Sequence, residues 1–248
     1  MTVIRTADLT FVDVRKRFDF RSISIGRWVT VAERERSAGK FYVALEDLMH
    51  ALRCPEQVIS LRGSLSFQFG IGGQLGVAAH YDPSQRCFSL AKNAGPGSIA
   101  HEWFHALDHY LADKVHTDAP ANMFASMAWL NNATPVKHLL NEKLYQCFKL
   151  ILLSPDTQQV SELVAASRRV DKKLQRQYYS KPEELCARAF EAFIDDSAAA
   201  NPFLVTDTVN CEGAKLGLYP QALQRLSVNS ALDSYFSLLG HTLRQQST

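Results

Sequence analysis

The segment 97–113 constrains this chain more than any other, because it places three histidines and three acidic residues on one face of a short amphipathic pattern. It contains the motif H-E-x-x-H, formed by His101, Glu102 and His105. On a helix, residues four apart lie above one another on the same face, so both imidazoles can reach one Zn²⁺. Glu102 lies roughly 100° further round the helix and can act as a general base beside the metal. The spacing therefore predicts a catalytic zinc site on this helix.

The rest of the segment agrees with a helix. At about 100° per residue, its polar side chains occupy an arc of roughly 140°, and its apolar side chains fill the opposite arc. The alternative interpretation is a surface helix whose polar face meets water. Such faces are usually rich in Lys and Glu, whereas this one carries three His and no Lys or Arg. We therefore favour metal binding.

The composition is that of an ordinary globular protein. The chain has 248 residues, of which 46% are hydrophobic and 21% charged, and its net charge is +2. Its five cysteines are widely spaced without a C-x-x-C pair, which argues against a disulfide framework and against a cysteine zinc site. The N-terminus lacks the apolar core of a signal peptide, and no apolar run approaches transmembrane length. We expect one domain over residues 1–248, in the cytoplasm, with no membrane segment.

The first half of the chain predicts one long helix and several short strands. Thr30 and Glu33 form a capping box, which predicts a helix that runs to about Leu52. Residues 1–27 are expected to be irregular or extended. The strand predictions cover residues 18–26, 58–69, 78–81 and 86–91, with a glycine-rich turn at 70–76 and a loop at 93–97.

The second half predicts helices almost throughout. Helical periodicity covers residues 120–131, 135–153, 155–179, 182–196 and 220–245. Three helix starts are predicted from capping patterns, namely Thr134-Pro135, Ser154-Pro155 and a capping box of Ser180 with Glu183. The fold class is therefore α+β, with a small N-terminal sheet packed on a mostly helical C-terminal half and the H-E-x-x-H helix at the centre.

A catalytic zinc site needs a third protein ligand, with water in the fourth position. His109 lies eight residues beyond His101, roughly 12 Å along the helix, which is too far for one tetrahedral ion. The metzincin pattern would require Gly at position 108 and His at 111, where this chain has Asp108 and Leu111. The simplest remaining arrangement takes a carboxylate from another helix, as in His₂Glu sites.

The segment 182–196 is the best source of that carboxylate. It is apolar apart from a stripe about 60° wide that carries Glu184, Arg188, Glu191 and Asp195. Buried charges are costly unless they are paired or bound to a metal. We therefore predict Glu184 as the third ligand in preference to Glu183, which the capping box would occupy, and keep Glu191 as another candidate. The alternative is a structural Glu-Arg-Glu network between packed helices.

Several further residues are candidates for supporting roles. Asp108 is expected either to orient a ligand imidazole or to be solvated. Any of His80, Tyr81, Tyr178 and Tyr179 could donate a hydrogen bond to a developing oxyanion, although packing or surface roles are commoner for such residues. A basic helix face is either solvated or in contact with phosphates, and it consists of Arg168, Arg169, Lys172, Lys173 and Arg176.

Two runs of sequence resemble a known family. The run F-G-I-G-G-Q-L-G-V-A-A-H-Y-D-P, with C-F-S-L-A-K-N-A-G-P-G-S-I-A-H-E-W-F-H-A-L-D-H-Y after it, resembles a domain of large polyvalent proteins of phages and conjugative elements, identified as a zincin-like metallopeptidase. The later run Y-Y-S-K-P-E-E-L-C-A-R-A-F-E-A-F resembles that domain's second motif. From F-R-S-I-S-I-G-R-W-V onward the chain looks like the stand-alone bacterial family labelled CLCA_X. The resemblance implies a zincin-like, gluzincin-type fold, a bacterial or mobile-element origin, and metal-site roles for His101, Glu102, His105 and Glu184.

These observations lead to one functional expectation and one alternative. We expect zinc-dependent hydrolysis of a peptide or protein substrate, in which a zinc-bound water attacks and Glu102 is the general base. The alternative is a catalytically silent zincin-like scaffold, or a module of mobile-element origin that binds nucleic acid or protein through its basic face.

Overall fold

A computed structural model describes residues 9–71, 79–92, 97–156, 158–197 and 201–246. Short strands and helices alternate in the first half of the chain, and the second half is helical. The α+β class is therefore confirmed. Most of the glycine-rich turn at 70–76 and of the loop at 93–97 lies outside the described residues.

The chain divides into two compact units, residues 1–106 with 198–206 and residues 107–197 with 207–248. The boundary between residues 106 and 107 falls inside a helix. The prediction of one domain over residues 1–248 stays a prediction.

The first unit is built around a four-stranded mixed sheet of order β1-β2-β4-β3. The first three strands in this order are parallel, and β3 runs antiparallel to β4 at the edge. All four residues of β4 are buried, as expected for a central strand. The elements are α1 (Phe11–Phe18), β1 (Ser22–Ile25), α2 (Val31–Leu52), a 3-10 helix (Glu56–Val58), β2 (Ser66–Phe69), β3 (Ala79–Asp82), β4 (Cys87–Leu90) and the beginning of α3 (Ile99–Val115).

Phenylalanine side chains form the core of this unit. Phe41 of α2 stacks on Phe67 of β2, with ring centroids 4.1 Å apart and planes at 13°. Phe88 of β4 and Phe11 of α1 lie 5.3 Å and 5.8 Å from the Phe67 ring. Burying each such side chain stabilises the fold by roughly 1.5–3 kcal/mol, so these contacts hold both helices against the sheet.

Helix α1 corrects the expectation that residues 1–27 are irregular or extended. Thr10 and Asp13 form a capping box, in which the Thr10 hydroxyl accepts from the Asp13 N–H and the Asp13 carboxylate accepts from the Thr10 N–H. Phe11, Val14 and Phe18 bury one stripe of the helix. The sequence signal was a Thr-x-x-Asp box in place of the commoner Thr-x-x-Glu.

The other first-half predictions divide into confirmed and wrong ones. The Thr30 capping box and the helix to Leu52 are confirmed, as are strands within residues 18–26 and 86–91. The strand predicted at 78–81 is found at Ala79–Asp82, with residue 78 outside the described residues. The strand over residues 58–69 is wrong for its first eight residues, since only Ser66–Phe69 is extended. The chain turns there because Leu61, Arg62 and Gly63 all have positive φ, of 53°, 57° and 71°.

The second unit is helical, and α7 lies at its core. Every residue of α7 from Pro182 to Ile194 is buried, which confirms the prediction of a helix buried nearly all round. It packs against α4, α5 and α9. The remaining part of α3 is followed by α4 (Ala125–Leu130), α5 (Leu139–Leu152), α6 (Glu162–Leu174), α7 (Pro182–Ser197), α8 (Glu212–Lys215) and α9 (Ala222–Gln245).

Two helix starts in this unit differ from those predicted. Helix α5 begins after His138, whose ring accepts from the Leu140 N–H, and not at Pro135. Helix α6 begins after Ser161, whose hydroxyl accepts from the Val164 N–H, and not at Pro155. A β-bridge between His116 and Pro135 keeps Pro135 out of the helix, and a bridge between Leu153 and Val160 encloses a turn that contains Pro155. Among the described residues, no helix has both the length and the hydropathy needed to span a membrane.

Candidate metal centre

Helix α3 carries the H-E-x-x-H motif, and its first turns are fixed within the first unit. The Ala100 N–H donates to the Leu204 carbonyl at 3.1 Å, and the Trp103 indole N–H donates to the Ile59 carbonyl at 2.9 Å. Gly97, just before the helix, has φ of 93°, and a Cβ there would lie 2.7 Å from the backbone nitrogen of Thr206. The helix start therefore depends on glycine at this position.

The two motif histidines point their ring nitrogens at each other. The Nε2 atoms of His101 and His105 are 3.0 Å apart, and the rings are nearly perpendicular at 83°. Two ligands of a tetrahedral zinc, each about 2.0–2.1 Å from the ion, lie roughly 3.3–3.4 Å apart. The pair is therefore within a few tenths of an ångström of the spacing that zinc requires.

A third predicted residue joins this pair. His101, His105 and Glu184 each offer one ligand atom, and these atoms all lie within 4.8 Å of one another. Two imidazoles and one carboxylate are also the donor set of a His₂Glu zinc site, so the residues fit that ion.

His105 and Glu184 are more deeply buried than His101 and Glu102. His105 and Glu184 are each 7% exposed, whereas His101 and Glu102 are half-buried. Glu102 is therefore accessible to water, as a general base acting on water must be.

Glu184 lies beside an anchored arginine. The Arg188 guanidinium is 3.7 Å from the Glu184 carboxylate, one helical turn away. Arg188 also donates to the Leu218 carbonyl at 2.8 Å, to the Ser167 hydroxyl at 3.4 Å and to the Tyr179 carbonyl. Because several acceptors fix the guanidinium, it can hold the carboxylate in one orientation.

Glu191, the other candidate ligand on the stripe, has a different partner. Its carboxylate accepts a hydrogen bond from the Tyr219 hydroxyl at 3.1 Å. Burial, together with the Glu191 charge, raises the pKa of the Tyr219 phenol, which keeps it a donor. Among the described residues, Glu191 is not in the group that could hold a metal ion.

The predicted capping box of Ser180 and Glu183 is wrong. The Ser180 N–H and hydroxyl both donate to the Asp171 carboxylate, at 2.8 Å and 2.6 Å, and α7 begins at Pro182. Glu183 is buried, at 9% exposure, but among the described residues it also lies outside the group that could hold a metal ion. The choice of Glu184 over Glu183 therefore rests on geometry and not on capping.

Asp108 is not solvated, so that alternative is wrong. It is 1% exposed, and its carboxylate accepts from the N–H and hydroxyl of Ser126 at 2.8 Å and 2.5 Å. It thereby anchors the start of α4, and its orienting role toward an imidazole stays a prediction. His109 is also buried, with its ring 5.9 Å from that of Phe124.

The remaining candidates occupy two other places. His80, which is exposed, and Tyr81, which is half-buried, lie on the edge strand β3. Burial raises the pKa of the Tyr81 phenol. Tyr179 stacks against the guanidinium groups of Arg188 and Arg176, at 5.4 Å and 4.8 Å. The assignment of His80, Tyr81 and Tyr179 as oxyanion donors stays a prediction.

One structural residue near the site was missed from sequence. Asp171 accepts hydrogen bonds from the backbone N–H groups of Tyr178, Tyr179 and Ser180. It thereby fixes the turn that leads into α7. Asp171 lies between cationic residues in the sequence, and its acceptor role has no local signal there.

Comparison with known protein families finds a match in the C-terminal part of the chain. The family model described as large polyvalent protein-associated domain 1 matches residues 170–243. The matched residues include α7 with Glu184 and Arg188, but not the H-E-x-x-H motif. No curated protein and no solved structure matches the chain. Over residues 170–243 the chain is therefore similar to this domain of large polyvalent proteins.

Proposed function

We propose that this protein is a zinc-dependent peptidase of zincin-like, gluzincin type, in which His101, His105 and Glu184 hold the ion. The observation that carries the proposal is the convergence of these three side chains, with ligand atoms within 4.8 Å of one another. Glu102, next to the first ligand in the chain, supplies a water-accessible carboxylate.

A catalytic role for zinc is favoured over a purely structural one. Structural zinc sites are closed by four protein ligands, whereas catalytic sites use three and leave one position for water or substrate. Among the described residues, the metal-binding group has three members.

The proposed mechanism divides the work between the ion and the protein. When bound, zinc would polarise the substrate carbonyl and lower the pKa of water. Glu102 accepts a proton from the attacking water and later donates it to the leaving amine. Arg188 holds the Glu184 carboxylate, and its own hydrogen bonds to Leu218 and Tyr179 keep it in place.

The similarity to the large polyvalent protein-associated domain supports the part of this proposal that concerns α7. It covers the helix that carries Glu184. We propose a bacterial or mobile-element origin on the same basis, and a peptide or protein as the substrate.

The test is hydrolysis by the full chain and by a Glu102→Gln variant. The probes are fluorescently labelled denatured casein and a mixed-sequence peptide library read by mass spectrometry. We expect zinc-loaded wild-type protein to cleave, a chelator to stop cleavage, and added zinc to restore it. Glu102→Gln should keep zinc and lose roughly 10²–10⁴-fold in rate, the usual contribution of a general base.

A matched control is Glu162→Gln, which makes the same chemical change at an exposed position on α6. It should cleave like the wild type. Undiminished cleavage by Glu102→Gln would refute the mechanism. No cleavage by zinc-loaded wild type would refute the peptidase proposal and favour the silent scaffold.

A further inference from the structure

The end of α6 and the segment after it carry a dense group of exposed cations. Residues 168–181 contain six Lys or Arg and one acidic residue, in a chain whose net charge is +2, so the remaining residues carry a net charge of −3. All six cationic residues are exposed. We call them the basic surface: Arg168, Arg169, Lys172, Lys173, Arg176 and Lys181.

The basic surface faces away from the core of the second unit. Its four members on α6 span an arc of roughly 140° at about 100° per residue. The buried side of the helix is opposite, and it comprises Leu163, Val164, Ala166, Ser167 and Asp171. None of the six cations makes an ion pair with another described residue.

The one acidic residue of the segment does not neutralise these cations. Asp171 is 6% exposed, and its carboxylate accepts four hydrogen bonds from Tyr178, Tyr179 and Ser180 at 2.6–3.2 Å. The carboxylate is therefore held on the buried side of α6, and its single charge leaves residues 168–181 with a net charge of +5. The same bonds fix the backbone between Arg176 and Lys181, so these two cations are displayed from an ordered turn.

Two ordinary roles explain only part of this arrangement. Cations in the last turn of a helix stabilise its C-terminal carbonyls, which accounts for Lys172 and Lys173. A face that serves solubility usually mixes both signs of charge, whereas every exposed charged residue in 168–181 is a cation.

An exposed aromatic ring borders the basic surface. Tyr178 is 40% exposed, and the Arg176 guanidinium lies 5.5 Å from its ring centroid. Proteins that bind nucleic acid strands without sequence preference combine a cationic track with aromatic rings on which bases stack. This combination favours nucleic acid over an anionic lipid surface or an acidic protein.

We propose that the basic surface binds nucleic acid through its phosphate backbone, without sequence specificity. The proposal goes beyond the peptidase function and does not depend on zinc, since every residue involved lies in 168–181.

The experiment measures binding of the full chain to fluorescein-labelled, mixed-sequence DNA, single-stranded and duplex, by fluorescence anisotropy. Salt is varied from about 50 to 200 mM, where phosphate contacts lose most affinity. The test variant combines Arg168→Gln, Arg169→Gln, Lys172→Gln and Lys173→Gln. Each phosphate contact makes the plot of log K against log salt steeper by about 0.7–0.9. The negative slope of the test variant should therefore be shallower than that of the wild type by about 3.

The control variant removes the same charge elsewhere. It combines substitutions at four exposed cations outside the basic surface, namely Arg27→Gln, Arg34→Gln, Arg36→Gln and Lys137→Gln. It should keep the wild-type slope. Thermal unfolding verifies that both variants fold. If the fourfold test variant does not fold, two double variants replace it, Arg168→Gln with Arg169→Gln and Lys172→Gln with Lys173→Gln. Each should make the negative slope shallower by about 1.5.

Three outcomes would overturn the proposal. The first is no salt-dependent binding of either DNA by the wild type at about 50 mM salt. The second is an equal loss of binding in the control variant, which would assign the effect to net charge. The third is binding to phosphatidylserine vesicles alone, which would assign the surface to a membrane.

Discussion

Replacing Glu184 with Gln is expected to remove most of the stabilisation that zinc gives to the folded chain. A ligand of the native state stabilises it by RT ln(1 + [L]/Kd), about 2.7 kcal/mol when free zinc is 100 times Kd. In a chain of 248 residues, each kcal/mol shifts Tm by about 2–4 °C. Zinc should therefore raise the Tm of the wild type by roughly 5–11 °C.

Gln keeps the size of the side chain but loses its negative charge. Changing a group that only supports a zinc ligand typically costs 10–100-fold in metal affinity. Loss of a ligand itself should cost at least about 100-fold. At the same free zinc concentration, zinc is then at or below the Kd of the Glu184→Gln variant. The stabilisation of that variant by zinc falls to about 0.4 kcal/mol or below, which corresponds to a shift of about 1–2 °C in Tm.

The adjacent glutamate provides the control. Glu183 is 9% exposed and Glu184 7%, so the two substitutions disturb similarly buried positions of α7. The assay is thermal unfolding of metal-stripped protein with and without added zinc, followed by circular dichroism. Glu183→Gln should keep the full zinc shift. A full shift in Glu184→Gln, or an equal loss in both variants, would refute Glu184 as the ligand.

Three other predictions concern residues that stabilise the fold. Burial raises the pKa of Asp171, but hydrogen bonds from Ser180, Tyr179 and Tyr178 lower it more, so the net pKa lies below the ordinary 3.8. The stability that this carboxylate contributes is present above pH 3.8 and is lost as pH falls through the lowered value. Asp171→Asn should lower the free energy of unfolding in urea by roughly 1–3 kcal/mol near neutral pH and flatten its acid dependence; an unchanged acid limb would contradict this. Gly97→Ala places a Cβ against the Thr206 backbone at a φ of 93°. This substitution should lower the free energy of unfolding in urea by at least about 1–3 kcal/mol, and an unchanged free energy of unfolding would contradict the prediction. Thr10→Ala should lower the free energy of unfolding by about 1 kcal/mol and speed amide hydrogen exchange in α1. Thr10→Ser keeps the capping hydroxyl and should change neither quantity.

What could be predicted from the sequence was mainly what depends on local spacing. The four-residue separation of His101 and His105 fixes them on one face of a helix, whatever surrounds it. The Thr30 capping box and the largely apolar helical pattern of residues 182–194 are likewise visible in the local sequence alone. The Thr10 box carried the same kind of signal and was overlooked because its acid is Asp.

The remaining features depend on partners that are distant in sequence. Asp108 is buried by a bond to Ser126, eighteen residues later, and Arg188 is held by the carbonyl of Leu218, thirty residues later. Asp171 looks like a surface residue until the turn before α7 closes on it. The predicted helix starts at Pro135 and Pro155 failed for a related reason, since Pro135 bridges to His116 and Pro155 lies in a turn that the bridge between Leu153 and Val160 closes.

The most direct test of the proposed zinc site is the zinc content of purified protein, measured by mass spectrometry. His105 and His109 are one turn apart on α3 and are 7% and 8% exposed, so replacing either with Ala disturbs packing to a similar degree. We expect about one zinc per chain in the wild type and in His109→Ala, and almost none in His105→Ala. A wild type without zinc, or equal zinc in both variants, would contradict the assignment of this centre.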